Sequence, residues 1–212
     1  MKTIKLLAVL FTASLIFTSC SDDDENPEIV NEEEEITTVN ITLTPVTGDA
    51  VVIMAVDLDG EAGADPVEIT GGTLLANTTY TGSIELLNEM ETPVEDVTLE
   101  IQEEDDVHQF FFFSDADFSF EYLDEDENGL PVGLNFSLTT GDVGSTNFSI
   151  ELYHELDKEA PGVSDGDATN AVGLELEATF PITVEENTVI GGIIDGLEEL
   201  IPDDLTELIP GI

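Results

Sequence analysis

The feature that most constrains this fold is an alternation of apolar and polar residues, with a period of two, along much of the chain. Side chains of a β-strand point alternately to its two faces, so this pattern predicts strands with one buried and one exposed face. Such strands are typical of antiparallel sheets. The alternating segments are residues 39–44, 79–86, 118–122, 134–139, 147–152 and 174–184.

Two further segments, residues 51–56 and 110–113, are apolar without alternation, which predicts strands buried on both faces or at the centre of a sheet. Turn signals such as Asn128-Gly129 separate the segments. Roughly seven to nine strands with short connections predict an all-β fold, a single antiparallel β-sandwich of immunoglobulin-like architecture. The sequence lacks the tryptophan and paired cysteines of antibody domains, so the likeness is one of architecture.

One short helix is predicted within this β pattern. Thr92 is a suitable N-cap, Pro93 suits the first helical position, and Glu95 completes a capping box. Val97 and Ile101 follow at helical spacing. A strand over residues 97–101 is the alternative interpretation of the same segment.

The N-terminal residues predict export and lipidation. A basic start and an apolar segment, residues 6–17, precede Cys20, the only cysteine of the sequence. This order is typical of a secretory signal, and a cysteine at the cleavage site predicts a bacterial lipobox. We therefore expect residues 1–19 to be a signal peptide and Cys20 to carry the lipid that anchors the protein in the membrane.

Three segments are expected beyond the signal peptide. Residues 20–35 are almost devoid of apolar side chains, which predicts a disordered acidic tether. Residues 36–185 form the β-sandwich domain, and residues 186–212 form an apolar tail interrupted by glycine and proline. An apolar stripe at helical spacing in this tail predicts short helices, which dock on a partner or membrane, pack on the domain itself, or form a flexible end.

The charge of the chain excludes some partners. Its 49 acidic residues face 3 lysines, giving a net charge of -46. Two of these lysines lie in the signal peptide, so the processed chain keeps Lys158 alone. Such a surface repels nucleic acid. The acidity is either a solubility adaptation or a basis for binding divalent cations, since clustered carboxylates favour calcium.

The best candidate calcium loop begins at Asp124. Asp124, Asp126 and Asn128 occupy positions 1, 3 and 5 of an EF-hand pattern, and Gly129 occupies position 6. Position 12 is Asn135 instead of glutamate, and strands are predicted on both sides. The alternative is a β-hairpin turn with Asn128-Gly129 at its tip.

Two other acidic loops are candidate calcium ligands, and each is equally well interpreted as a solvated turn. The first contains Asp57, Asp59 and Asp65, and the second contains Asp165 and Asp167. Both include glycines that permit tight turns.

His108 and His154 are the only histidines. If the alternation continues, each points to the same face as the buried aromatic residues of its own strand. They are then able to meet across two strands and bind a transition metal or haem. The alternative is a pair of partly buried histidines that hydrogen-bond to backbone or carboxylate groups.

Known signatures of catalysis are missing from the sequence. It contains no G-x-S-x-G, H-E-x-x-H or P-loop motif, and no arginine. Cys20 is expected to be lipidated, which removes it as a nucleophile. We therefore expect a protein that is not an enzyme.

Several segments resemble a known group of proteins. They are 1–7, the 18–24 junction, 76–82, 87–89, 108–109 and 163–167. Together they are similar to small lipoproteins of flavobacteria, within the Bacteroidota, often labelled as type 1 periplasmic binding fold superfamily proteins. The acidic run after Cys20 resembles the export signal of Bacteroidota lipoproteins, which implies the outer membrane and its cell-surface face. The fold implied by the label, two lobes with parallel sheets, conflicts with the alternation, and we take the fold from the alternation.

The sequence as a whole predicts a lipid-anchored envelope lipoprotein that serves as a non-catalytic binding or interaction module, stabilised by calcium in its acidic turns. Its partner is a protein, a glycan or a small molecule. The alternatives are a solute-binding lipoprotein, which needs an aromatic-lined cavity, and a hydrolase, which needs two convergent carboxylates in a cleft.

Overall fold

Two β-sheets and one α-helix account for most of the residues that the computed structural model describes, which are 34–57 and 68–188. The predicted all-β sandwich is confirmed for this part of the chain. Within it, no helix is long and apolar enough to cross a membrane. The predicted signal peptide, nearly all of the tether, and the tail from residue 189 lie outside the described residues.

The larger sheet is antiparallel throughout. In chain order its strands are β1 (Thr38–Pro45), β2 (Val51–Val56), β3 (Glu68–Thr70), β5 (Thr79–Asn88), β6 (Glu95–Asp96), β8 (Ser119–Tyr122) and β9 (Asn135–Thr139). They lie in the order β3-β2-β1-β5-β9-β8, with β6 beside β5. The predicted hairpin is present, since β8 pairs with β9 and residues 123–134 connect them.

The smaller sheet contains β4 (Gly72–Leu75), β7 (Gln109–Ser114), β10 (Gly144–Tyr153) and β11 (Leu174–Glu185). Their order is β4-β11-β10-β7. Pairing is antiparallel except between β4 and β11, which run parallel. The short strands β3, β4 and β6 were not predicted, because two to four residues carry too little alternation to be recognised.

The core lies between the sheets and is rich in phenylalanine. Phe136 and Phe148 are fully buried, and the ring of Phe112 lies 4.4 Å from that of Phe136. Burying each large apolar side chain contributes about 1.5–3 kcal/mol, so the alternating strands supply most of the stabilisation.

The helix starts later than the sequence predicted. The helix α1 spans Thr98–Glu103, and Val97 occupies its N-cap without a side-chain hydrogen bond. The predicted cap at Thr92 and capping box at Glu95 are therefore wrong. Glu95 instead belongs to β6, which pairs with the end of β5. Pairing with a sheet outweighs a local capping signal, which contributes only about 1 kcal/mol.

Candidate metal centre

The two histidines stack on each other at one end of the smaller sheet. Strands β7 and β10 pair in antiparallel register, with Gln109 opposite Tyr153. One step beyond this pair lie His108 and His154, whose ring centroids are 4.3 Å apart and whose planes differ by 17°. The Leu156 amide donates to the Val107 carbonyl at 3.0 Å and fixes this extension of the pairing.

A glycine allows the start of β11 to approach the histidines. The His154 amide donates to the carbonyl of Gly173 at 2.8 Å. Gly173 has φ of 86°, and a Cβ atom there would collide with the His154 carbonyl. Only glycine fits this close approach, which brings Glu175, two residues further on, to the cluster.

Three glutamates converge on the stacked rings. We call Glu34, Glu104, His108, His154 and Glu175 the His–Glu cluster. Glu34 precedes β1, Glu104 follows α1, and Glu175 lies near the start of β11. Four of these residues, all except Glu175, can each offer one ligand atom such that the four atoms lie within 4.8 Å of one another.

The Glu34 carboxylate faces one nitrogen of each ring. Its Oε1 is 3.6 Å from His108 Nε2, and its Oε2 is 3.4 Å from His154 Nδ1. Glu104 Oε2 approaches the other nitrogen of His154 at 3.8 Å, while Glu175 Oε2 is 3.7 Å from His108 Nε2. All four distances exceed the 2.7–3.2 Å range of a good N–H···O hydrogen bond.

The protonation of His108 follows from its backbone contact. Its Nδ1 lies 2.9 Å from the carbonyl oxygen of Glu104, which can only accept, so Nδ1 carries a proton. The other nitrogen, Nε2, is fully buried and has no hydrogen-bond partner, and the same holds for Oε2 of Glu34. A buried nitrogen without a partner therefore points towards carboxylate oxygens.

The cluster has an excess of negative charge. Burial raises the pKa of Glu34, but contacts with His108 and Glu175 outweigh it and lower that pKa to about 2. Glu34 is therefore ionised at neutral pH although its side chain is only 6% exposed. Outside the predicted signal peptide the sequence has one basic residue, Lys158, and that residue pairs with Asp126.

The spacing in the cluster suits a small metal ion. A tetrahedral ion with bonds of about 2.1 Å to nitrogen and oxygen holds neighbouring ligand atoms about 3.4 Å apart. Glu34 Oε1 is 3.6 Å from His108 Nε2 and Glu34 Oε2 is 3.4 Å from His154 Nδ1, and one ligand atom from each of the four residues lies within 4.8 Å of the others. A histidine ligand commonly donates its other N–H to a backbone carbonyl, as His108 does to Glu104. Haem does not fit between rings that stack face to face.

The predicted calcium loop at Asp124 has its carboxylates engaged by the protein. Asp124 accepts from the amides of Gly133 and Asn135, each at 2.7 Å. Asp126 Oδ1 accepts from the amides of Asn128 and Leu130, and Asp126 Oδ2 accepts from Lys158 Nζ at 3.0 Å. Calcium binding at this loop stays a prediction, and it would require these bonds to be exchanged.

The other predicted calcium ligands are distant from the histidines in sequence. Asp57 follows β2, and its amide donates to Thr37, whereas Asp59 and Asp65 lie outside the described residues. Asp165 and Asp167 are exposed in the segment between β10 and β11. Hydrogen bonds from the Thr169 hydroxyl and amide lower the pKa of Asp167. Cys20 also lies outside the described residues.

The sequence placed both histidines on inward faces but gave no means of selecting the three glutamates. Acidic residues number 49 in this chain, so no spacing distinguishes Glu34, Glu104 or Glu175 from the rest. One indirect signal exists at Glu104, because a glutamate at a helix C-terminus is unfavourable for the helix dipole.

Comparisons with known proteins found no matching family model, no matching curated protein and no matching solved structure. The resemblance to flavobacterial lipoproteins stays a prediction from the sequence.

Proposed function

We propose that this protein is a lipid-anchored envelope protein whose β-sandwich binds one divalent transition metal ion, best matched by zinc. The proposed ligands are Glu34, His108 and His154, with Glu104 in the fourth position. The observation that carries the proposal is His108 Nε2, which is fully buried, lacks a hydrogen-bond partner and faces Glu34 Oε1 at 3.6 Å. Buried polar atoms are nearly always satisfied, so such an atom calls for a missing partner.

The ligand types favour a transition metal over calcium at this cluster. Imidazole nitrogen suits zinc, iron, nickel and copper, whereas calcium takes six to eight oxygen ligands. Two histidines with one or two carboxylates form a common ligand set for zinc. A divalent ion also supplies the positive charge that the buried glutamates need. Lys158, the one lysine beyond the predicted signal peptide, cannot supply it because it pairs with Asp126.

A proton is the competing partner for the cluster. If His108 were doubly protonated, its Nε2–H would form an ion pair with Glu34. That pair would be expected to close to about 2.7–2.9 Å, as charged N–H···O bonds do. The observed 3.6 Å is longer and leaves the space that an ion needs.

The alternatives from the sequence have less support. A solute-binding role needs a cavity lined by aromatic residues, but Phe120 and Tyr122 each pack against Phe112, with a distance of 5.6 Å between ring centroids in both pairs. A surface pocket of about 300 Å³ near Pro45 and Asn187 is lined without any acidic residue or histidine. The convergent carboxylates Glu34 and Glu175 are buried against histidines instead of lining an open cleft.

The anchor is the second part of the proposal, supported by the lipobox ending in Cys20 and by the acidic run behind it. A role at the outer membrane, facing the cell surface, follows from the resemblance of that run to Bacteroidota export signals. Metabolic labelling with an alkyne fatty acid tests it. We expect labelling of the wild type and none of Cys20→Ala, and a labelled variant would contradict it.

Metal binding is tested on the full chain, purified in mild detergent without a polyhistidine tag and stripped with EDTA. Zinc is titrated in physiological salt with excess magnesium, which occupies the many surface carboxylates. We expect one tightly bound zinc per chain. Loss of an outer-shell partner typically weakens metal binding about 10–100-fold. His108→Ala and His154→Ala each remove a ligand itself and should weaken zinc binding by more than that.

A matched pair of glutamates provides the control for this titration. Glu104→Gln should weaken zinc binding, whereas Glu103→Gln, which changes the exposed neighbour, should not. Zinc bound with equal affinity by the wild type and both histidine variants would place the ions on surface carboxylates and contradict the proposal.

A further inference from the structure

The N-terminal end of the domain is held by two different kinds of contact. Thr37 is buried, and its amide donates to the Leu87 carbonyl at 3.0 Å. Ile36 packs against the hydrophobic core. Residues 36 and 37 are therefore held by the sheet and the core, independently of any ion.

The two residues before Ile36 differ from it. Glu35 is exposed, and Glu34 is held through the His–Glu cluster. The Glu34 amide donates to Glu175 Oε1 at 3.0 Å, and its carboxylate faces His108 and His154. These partners are 74 to 141 residues away in sequence. Glu34 therefore connects the N-terminal segment to the smaller sheet through noncovalent contacts.

The charge balance around Glu34 depends on the ion. Without a cation, Glu34 Oε2 and His108 Nε2 stay buried without a hydrogen-bond partner, which disfavours the docked position of Glu34. With a divalent ion between Glu34 and the two imidazoles, the same carboxylate is attracted. Occupancy of the site therefore decides whether residue 34 is stable in its docked position.

We propose that the metal ion locks the N-terminal end of the domain in place, and that its loss releases residues 34 and 35 to extend the acidic segment that leads to Cys20. This inference rests on the proposed metal site. According to this inference, the metal concentration determines whether residues 34 and 35 are docked on the domain or belong to the segment that leads to the lipid anchor. Two released residues add about 7 Å of reach at roughly 3.5 Å per residue, and they free the direction in which the chain leaves the domain.

Amide hydrogen exchange of the full chain, read by mass spectrometry on peptic peptides that cover residues 33–38, tests this inference. We expect zinc to slow exchange at Glu34 and Glu35 at least tenfold relative to the EDTA-treated protein. Exchange in β9, far from the cluster in sequence, should change little and serves as an internal reference.

Adjacent glutamates supply matched variants. Glu34→Gln should still bind zinc through the histidines, more weakly, but should lose the zinc-dependent slowing at residues 34 and 35. Glu35→Gln, which changes an exposed side chain, should behave as the wild type.

The possible failures are distinguishable. If zinc binds and depends on His108, but exchange at residues 34 and 35 is the same with and without zinc, the lock is refuted and the metal site stands. If zinc does not bind the cluster, both proposals fall.

Discussion

Two buried clusters in this protein place carboxylates out of water, and they differ in how the negative charge is balanced. At the first, Asp126 accepts from two backbone amides and from Lys158 Nζ, and neither side chain of the pair is more than 1% exposed. At the His–Glu cluster, Glu34 and His108 each keep a buried atom without a hydrogen-bond partner. The first cluster is complete within the protein, and the second is the one at which we propose an added cation.

This difference follows from the composition. A chain with 49 acidic residues and a single lysine beyond its predicted signal peptide has one lysine with which to pair a buried carboxylate. Any other buried carboxylate must be neutralised by a proton or an added cation. The lysine pair therefore serves as a reference for what a completed acidic cluster looks like in this protein.

The largest expected effect comes from removing the lysine. Lys158→Met leaves Asp126 ionised and buried without its counter-charge, which should lower the free energy of unfolding by about 3–5 kcal/mol. Urea denaturation measures it. The exposed neighbour variant Glu159→Gln should change stability by less than about 0.5 kcal/mol. A loss below about 1 kcal/mol for Lys158→Met would show that the pair is not the completed cluster described above.

The second effect is the response to zinc. A ligand that binds only the folded state at 100 times its dissociation constant adds about 2.7 kcal/mol to the free energy of unfolding. We expect this gain in the wild type and also in Lys158→Met, because the two clusters use separate residues. The gain should vanish in His108→Ala. Equal gains in the wild type and His108→Ala would move the bound zinc away from the cluster.

Acid should affect the lysine pair in a defined direction. Burial raises the pKa of Asp126, but hydrogen bonds from Leu130, Lys158 and Asn128 outweigh it and lower that pKa. As the pH falls, Asp126 is therefore protonated at a higher pH in the unfolded chain than in the folded protein. The stabilisation is complete above about pH 4 and is lost as the pH falls through the pKa of Asp126 in the folded protein. The slope reaches about 1.4 kcal/mol per pH unit.

The difference in unfolding free energy between the wild type and Asp126→Asn isolates this effect from the other carboxylates. It should be constant near neutral pH and should shrink below about pH 4. A difference that stays the same at acidic pH would contradict the assigned shift.

The smallest expected effect is that of calcium. In the loop at Asp124, calcium must displace Lys158 and several backbone donors. We therefore expect calcium, at ionic strength matched with sodium chloride, to raise the melting temperature by less than zinc does. A calcium-specific rise as large as that of zinc, abolished by Asp124→Asn, would show that this loop is the main cation site.

Much of the fold was predictable because eight of the eleven strands in the described residues carry an apolar pattern long enough to recognise. The start of β11 shows the limit of that reasoning. The alternation assigned Leu174 to the inside, but Leu174 is 47% exposed and Glu175 is buried. A register shift between Leu152 and Tyr153 of β10 accompanies this change of face, and sequence alternation does not reveal such bulges.

The candidate site was predictable only in part for a related reason. Alternation placed His108 and His154 on inward faces, and the pairing of β7 with β10 brings them together. The glutamates come from distant segments, and their approach depends on Gly173 and on the path of the chain before β1. Contacts of this kind are set by tertiary structure and leave no local pattern.

The most direct test is a crystal of the zinc-loaded full chain measured at energies above and below the zinc absorption edge. We predict a single strong anomalous peak about 2.1 Å from Nε2 of His108 and from a carboxylate oxygen of Glu34, with His154 completing the contact. Anomalous peaks only at surface carboxylates, with His108 and Glu34 closed into a direct hydrogen bond, would contradict the metal site.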